Sequence, residues 1–184
     1  MKKLIALAST VAMAAIASNA YAYDGTVNFK GNISNVTCTI VAAGGSTIGT
    51  VTLPTVTQSA LKAVGDTAGT TQFSIQLSNC SGTPAPTKAA AWFESGPEVN
   101  AAGRVLTSVA GTPTEALSIA IYNMGRSTPI VIGQGDGSLG SSGSPFDITA
   151  AGTTLKYQAK YYAEKTGIPV GAVEGKVNYT IQYE

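Results

Sequence analysis

Apolar and polar residues alternate strictly over residues 176–184, where Val177, Tyr179, Ile181 and Tyr183 interleave with Lys176, Asn178, Thr180, Gln182 and Glu184. A period of two gives one apolar and one polar face, which predicts a half-buried β-strand. It is the last element of the sequence, so its outer side is expected to find no partner further along. A second alternation runs through Tyr23, Gly25, Val27, Phe29 and Gly31, interleaved with Asp24, Thr26, Asn28 and Lys30. It predicts another short strand.

Between these two segments the pattern predicts a series of short strands punctuated by turn residues. Residues 32–41 carry Ile33, Cys38 and Ile40 at apolar positions and stop at Gly44-Gly45, and residues 47–53 stop at Pro54. Residues 71–79 place Phe73, Ile75 and Leu77 on one face. Residues 88–94 hold the sole tryptophan, Trp92, for which core packing is expected because a tryptophan in a strand is usually core. Residues 116–123 and 129–132 follow, separated by an Asn123-Met124-Gly125 turn. Residues 155–165 place Leu155, Tyr157, Ala159 and Tyr161 on one face, and residues 167–175 turn the chain into the final strand. Residues 58–64 offer the only helical turn, too short to carry a domain. Seven or eight short strands with almost no helix, no internal repeat and no dividing linker predict an all-β, immunoglobulin-like β-sandwich in one domain.

The first residues change where that domain begins. Lys2 and Lys3 precede an apolar run over residues 4–16 and then Ala20-Tyr21-Ala22, the pattern of a secretory signal peptide, expected to occupy residues 1–22. Residues 23–30 are then an N-terminal arm and residues 31–184 the domain. The apolar run is shorter than the roughly 20 residues that span a bilayer. Of the 11 basic residues two fall in the signal, so nine remain against ten acidic ones, a net of −1. A nearly neutral chain has no electrostatic footprint for nucleic acid or an anionic membrane. Charged residues make up 11% of the sequence, less than half the usual share, which suits a surface partly covered by other copies.

Composition also limits the chemistry. The sequence contains no histidine, which excludes His-based triads, His-ligated metals and His acid–base catalysis. Glu94 with Glu98, or Asp136 with Asp147, could pair as carboxylates, but scattered acids are more often solvated surface groups, and no enzyme activity is expected. Five glycines in residues 133–143 lack the following helix and lysine of a phosphate-cradling loop, so a surface loop is expected there. Sequons at Asn32, Asn35, Asn79 and Asn178 are the chance product of a sequence rich in Asn, Ser and Thr. Only Cys38 and Cys80 are cysteines. In an oxidising compartment one disulfide is the default, closing a loop of about 40 residues and stabilising by about 4 kcal/mol. Reactive thiols or metal ligands are the alternative, without the C-x-x-C spacing that would favour it.

Taken in order, Gly25-Thr26-Val27-Asn28-Phe29-Lys30-Gly31, the Cys38 and Cys80 spacing, Leu53-Pro54, and Tyr179-Thr180-Ile181-Gln182-Tyr183 resemble the major structural subunits of chaperone-usher fimbriae of the type 1 class. The Tyr23-Asp24-Gly25 start and Val177-Asn178-Tyr179-Thr180-Ile181 look like the major pilins of G fimbriae in particular. The resemblance implies an incomplete immunoglobulin-like sandwich lacking its last strand and completed by donor-strand exchange, a form of β-strand addition. It implies that Val177, Tyr179, Ile181 and Tyr183 form a lip of the acceptor groove and the strand a chaperone binds. It further implies that Tyr23, Gly25, Val27, Phe29 and Gly31 are the donor strand for a neighbour. The expected partners are other copies of the chain in a head-to-tail polymer, a periplasmic chaperone, an outer-membrane usher and a tip adhesin. No cofactor, nucleic acid or small-molecule substrate is expected. The expected location is an extracellular fimbrium on the bacterial surface, reached through the periplasm. A minor or tip subunit binding host glycans directly is the alternative function.

Overall fold

The computed structural model describes residues 25–135, 145–149 and 151–184. The chain forms two compact units, Met1–Ile33 and Ser34–Glu184. In the first, residues 25–33 are exposed and have no regular secondary structure, so the strand periodicity there is not realised as a strand.

Among the described residues the second unit has nine strands: β1 (Thr37–Ala42), β2 (Thr67–Ser81), β3 (Lys88–Phe93), β4 (Val105–Val109), β5 (Thr112–Asn123), β6 (Phe146–Asp147), β7 (Thr153–Ala163), β8 (Val173–Glu174) and β9 (Tyr179–Tyr183). One short 3-10 turn, Gln58–Ala60, falls where the helical turn is predicted. Six strands form a sheet in the order β1-β2-β7-β5-β4-β8, and three form a second in the order β6-β3-β9. Every pairing between named strands is antiparallel. The predicted sandwich is therefore present.

The alternation in β7 sets the core. Leu155, Tyr157 and Ala159 are buried while Lys156 between them is exposed. Tyr157 is the centre of the aromatic packing, with ring centroids 5.6 Å from Phe73, 5.3 Å from Phe93 and 6.2 Å from Phe146. The phenol oxygen is satisfied in this apolar site, because the Ala91 amide donates to it at 3.1 Å. A second, smaller cluster of Leu61, Val109, Leu117, Ala163 and Ile168 packs elsewhere in the same unit. Cys38 and Cys80 form the expected disulfide, which ties β1 to β2 across a 4.2 Å Cα separation.

Several predicted elements differ. The strand expected over residues 32–41 begins only at Thr37, because its partner β2 ends at Ser81, the residue opposite Thr37. Residues 49–57 form no strand, and residues 129–132 make one isolated bridge, Tyr122 to Pro129. Strand β4 is absent from the sequence-based expectation. Its Val105, Thr107 and Val109 all face inward, and Thr107 satisfies its buried hydroxyl by donating to the Leu117 carbonyl at 2.7 Å. The hairpin joining it to β5 turns at Ala110-Gly111, both at positive φ (49° and 78°), which suits a tight two-residue turn.

Candidate functional site

Among the described residues, strands β1 and β9 each have a hydrogen-bonded neighbour on one side only, β2 and β3 respectively. They are edge strands of opposite sheets, and an apolar groove of about 990 Å³ lies between them. Its floor is the core itself: Ile75, Phe93, Val105 and Ile121 line the groove and are each no more than 4% exposed. Ile40 and Ala42 come from the β1 side.

From the opposite side come Val177, Tyr179, Ile181 and Tyr183, all four lining the groove and all half-buried. The structure thus brings together every residue predicted for the groove lip. Their position follows from register. Ile181 lies opposite Ala91, and Tyr179 and Tyr183 opposite Phe93 and Ala89, so all three share the inward face of β3. Burial pushes the hydroxyls of Tyr179 and Tyr183 above the usual phenol range.

A third wall has no counterpart in the sequence-based expectation. Residues 47–53, read from sequence as a strand, run as irregular chain and contribute Ile48, Val51 and Leu53 to the groove. Tyr179 Oη donates to the Thr47 carbonyl at 3.0 Å, which pins this wall to β9. Ile48 remains 84% exposed at the groove.

The predicted donor residues lie in the first unit, apart from Tyr23, which is outside the described residues. Val27 and Phe29 are 75% and 91% exposed. A Cβ built on Gly25 or Gly31 would touch nothing. Sequence reasoning assigns Ile33 to the strand that follows, but Ile33 is fully exposed and belongs to the first unit. The signal that would place it correctly is register, since Val27, Phe29, Gly31 and Ile33 continue one alternation.

Other candidates take no part in a site. Trp92 is not core: it sits half-buried on the side of β3 opposite Phe93, its indole donating to Glu94 at 3.2 Å. The register of Ala89, Ala91 and Phe93 toward the core forces it outward. Glu94 accepts from Trp92 and Thr180, and Glu98 pairs with Lys176 at 3.1 Å, so each carboxylate is engaged separately. Asp136 and most of the glycine-rich loop lie outside the described residues.

A sandwich with two unpaired edges flanking an apolar groove is the architecture of a β-protein open to strand addition. The protein-family model described as "Fimbrial protein" matches residues 27–184. The chain is 35% identical to the F17 fimbrial protein of Escherichia coli over 93% of each chain. It is 32% identical to the major fimbrial subunit SMF-1 of Stenotrophomonas maltophilia, over 94% of this chain and 99% of that one. Its fold matches the crystal structure of the P pilus rod subunit PapA with a TM-score of 0.58 at 22% identity, covering 80% of this chain and 99% of that one. The chain belongs to the fimbrial protein family, and it is a structural fimbrial subunit.

Proposed function

We propose that this chain is the shaft-forming pilin of a chaperone-usher fimbria, polymerising by donor-strand exchange into a fibre displayed on the cell surface. The observation that carries this is the groove between β1 and β9, whose floor is the hydrophobic core and whose two rims are strand edges. An unpaired strand edge beside an apolar groove is prone to pair with whatever strand is offered. The arm offers one. Val27, Phe29 and Ile33 are large apolar side chains held in water, with Gly31 between them in the same alternation.

The lengths agree. Residues 177–183 and residues 27–33 each comprise seven positions, roughly 23 Å as extended chain. Each of Val27 and Phe29 gains roughly 1.5–3 kcal/mol when its side chain leaves water for the groove, in addition to a ladder of backbone hydrogen bonds. Because arm and groove belong to different copies, the contact is head-to-tail and the assembly is an open filament. A periplasmic chaperone would fill the groove of the free subunit with a strand of its own. An outer-membrane usher would host the exchange, and a tip adhesin would stand at the far end of the fibre.

The test is a ladder assay. The chain beginning at Tyr23 should give detergent-resistant oligomers in the cold that collapse on boiling. Removing residues 23–30 should abolish the ladder and leave a subunit whose stability rises when a peptide of residues 23–34 is added. Normal polymerisation of the truncated chain, or equal stability with and without peptide, would falsify the proposal.

A further inference from the structure

Glu164, one residue past the end of β7, collects four donors on the outer face of the larger sheet. Arg104 Nε and Nη2 donate to its two oxygens at 2.6 and 2.8 Å, and Ser118 Oγ and Asn100 Nδ2 donate to Oε1 at 2.7 Å each. Ser118 is fully buried, and the Arg104 and Glu164 side chains are 14% and 17% exposed. The guanidinium lies 3.9 Å over the Tyr162 ring. With Arg104 alongside it, the Glu164 carboxyl is held down to about 2. Nothing in the groove mechanism uses this cluster.

Its contacts lead to the groove. Asn100 Oδ1 accepts from the Ala102 and Arg104 amides at 3.1 and 2.9 Å, so Glu164 anchors a residue that itself shapes the loop before β4. The residue after Arg104 is Val105, which is 3% exposed and part of the groove floor. Against Val105 packs Gly175, where a Cβ would come within 3.3 Å of the valine and 3.0 Å of the Leu106 carbonyl. Lys176 and Val177 follow at once. The same loop also holds Lys176 through Glu98 and supplies the Glu98 carbonyl to the Leu106 amide at 2.8 Å. One face of this loop is thus locked by the carboxylate, and the other carries the floor on which the chain leading into β9 rests.

We infer that Glu164 is a positioning residue for the acceptor groove: through Arg104 and Asn100 it fixes Val105, and with it the Gly175–Val177 end of the groove that grips an incoming strand. The inference rests on the proposed strand-exchange function. It adds that grip is set from the opposite face of the sheet, by residues that touch no donor.

The experiment compares the chain with its Glu164→Gln and Ser118→Ala variants, using a fluorescent peptide of residues 23–34 as the donor probe. Expected are release of the captured peptide at least about tenfold faster in Glu164→Gln, a smaller acceleration in Ser118→Ala, and shifts of the Val105 and Val177 methyl resonances in both. A Leu61→Ala variant supplies the control. It destabilises the second core cluster, away from the groove lining, and should lower the melting temperature while leaving peptide release unchanged. If the parent chain captures peptide and the Glu164 and Ser118 variants release it at the parent rate, or only in proportion to lost melting temperature, the positioning role is overturned while strand exchange stands. If the parent chain captures no peptide and forms no ladder, both fall. Failure of both variants to fold would make Glu164 a residue of the fold alone and likewise overturn the inference.

Discussion

Tyr157 shows how a single side chain can organise three strands. Its ring meets Phe73 of β2, Phe93 of β3 and Phe146 of β6, and its oxygen takes the Ala91 amide. Replacing it with phenylalanine keeps the ring but orphans a buried donor, which costs about 1–3 kcal/mol. Urea denaturation should show that loss, and an unchanged midpoint would mean that the Tyr157 oxygen contributes nothing to stability. Burial also pushes its hydroxyl up to about 12, so the folded chain holds this proton more tightly than the unfolded one. The contribution is therefore complete below about pH 10 and is lost as pH rises from there toward 12. A shallower fall of stability between about pH 10 and 12 in Tyr157→Phe than in the parent, read from urea midpoints across that range, is the expected signature.

The same scale shows what is legible in advance. Tyr157 and its neighbours Leu155 and Ala159 read as a buried face because the alternation in β7 is uninterrupted. Trp92 misleads because its residue type argues for the core while its register argues against it. In β3 the small Ala89 and Ala91 share the inward face with Phe93, so the largest side chain is left outside. Ile33 misleads for the converse reason: it is apolar, but it continues the odd-numbered alternation of Val27 and Phe29 and is out of phase with Cys38, Ile40 and Ala42, the core-facing residues of β1.

At the scale of elements, the last edge strand is legible and the floor beside it is not. The shared apolar face of Tyr179, Ile181 and Tyr183 in β9, and of Val177 just before it, follows from period two, and the resemblance supplies their role as a groove lip. The floor draws on β2, β3, β4 and β5, and β4 escapes notice because Thr107 and Ser108 interrupt its apolar pattern; only the hydrogen bond to Leu117 makes a threonine acceptable in that core. Residues 47–53 carry strand-like side chains yet pair with nothing regular, since their apolar residues serve the groove rather than a ladder. The β1 edge depends on its covalent tie to β2. A Cys38→Ala, Cys80→Ala double variant should lose about 4 kcal/mol on the chain-entropy account, because the bond spans a sequence separation of 42. Denaturation with and without reductant measures this directly. A parent chain whose midpoint ignores the reductant would show that the bond contributes little.

At the scale of the molecule, the arm and the groove are expected to be separable by mutation. Phe29→Asp places a charge where the proposed contact buries an aromatic ring, and the cost of desolvating it should block addition to the next subunit. The groove of that variant is untouched, so it should still take a chaperone strand and still accept the arm of an unmutated copy. Mixing experiments followed by electron microscopy would read this out: the variant alone gives no fibres, and added to growing parent subunits it shortens them. Fibres of normal length from the variant alone would remove Phe29 from the contact.

The single-sided pairing of β1 and β9 carries a last consequence. Under strand exchange each copy offers one plug and one socket, so a finished fibre has a direction, with a socket left at one terminus and a spare plug at the other. Copies in the interior satisfy each other, and an unoccupied socket leaves unpaired strand edges at one place per fibre. Length control then becomes a question of termination chemistry: a subunit with a socket and no usable plug can begin a fibre, and one with a plug and no socket can end it.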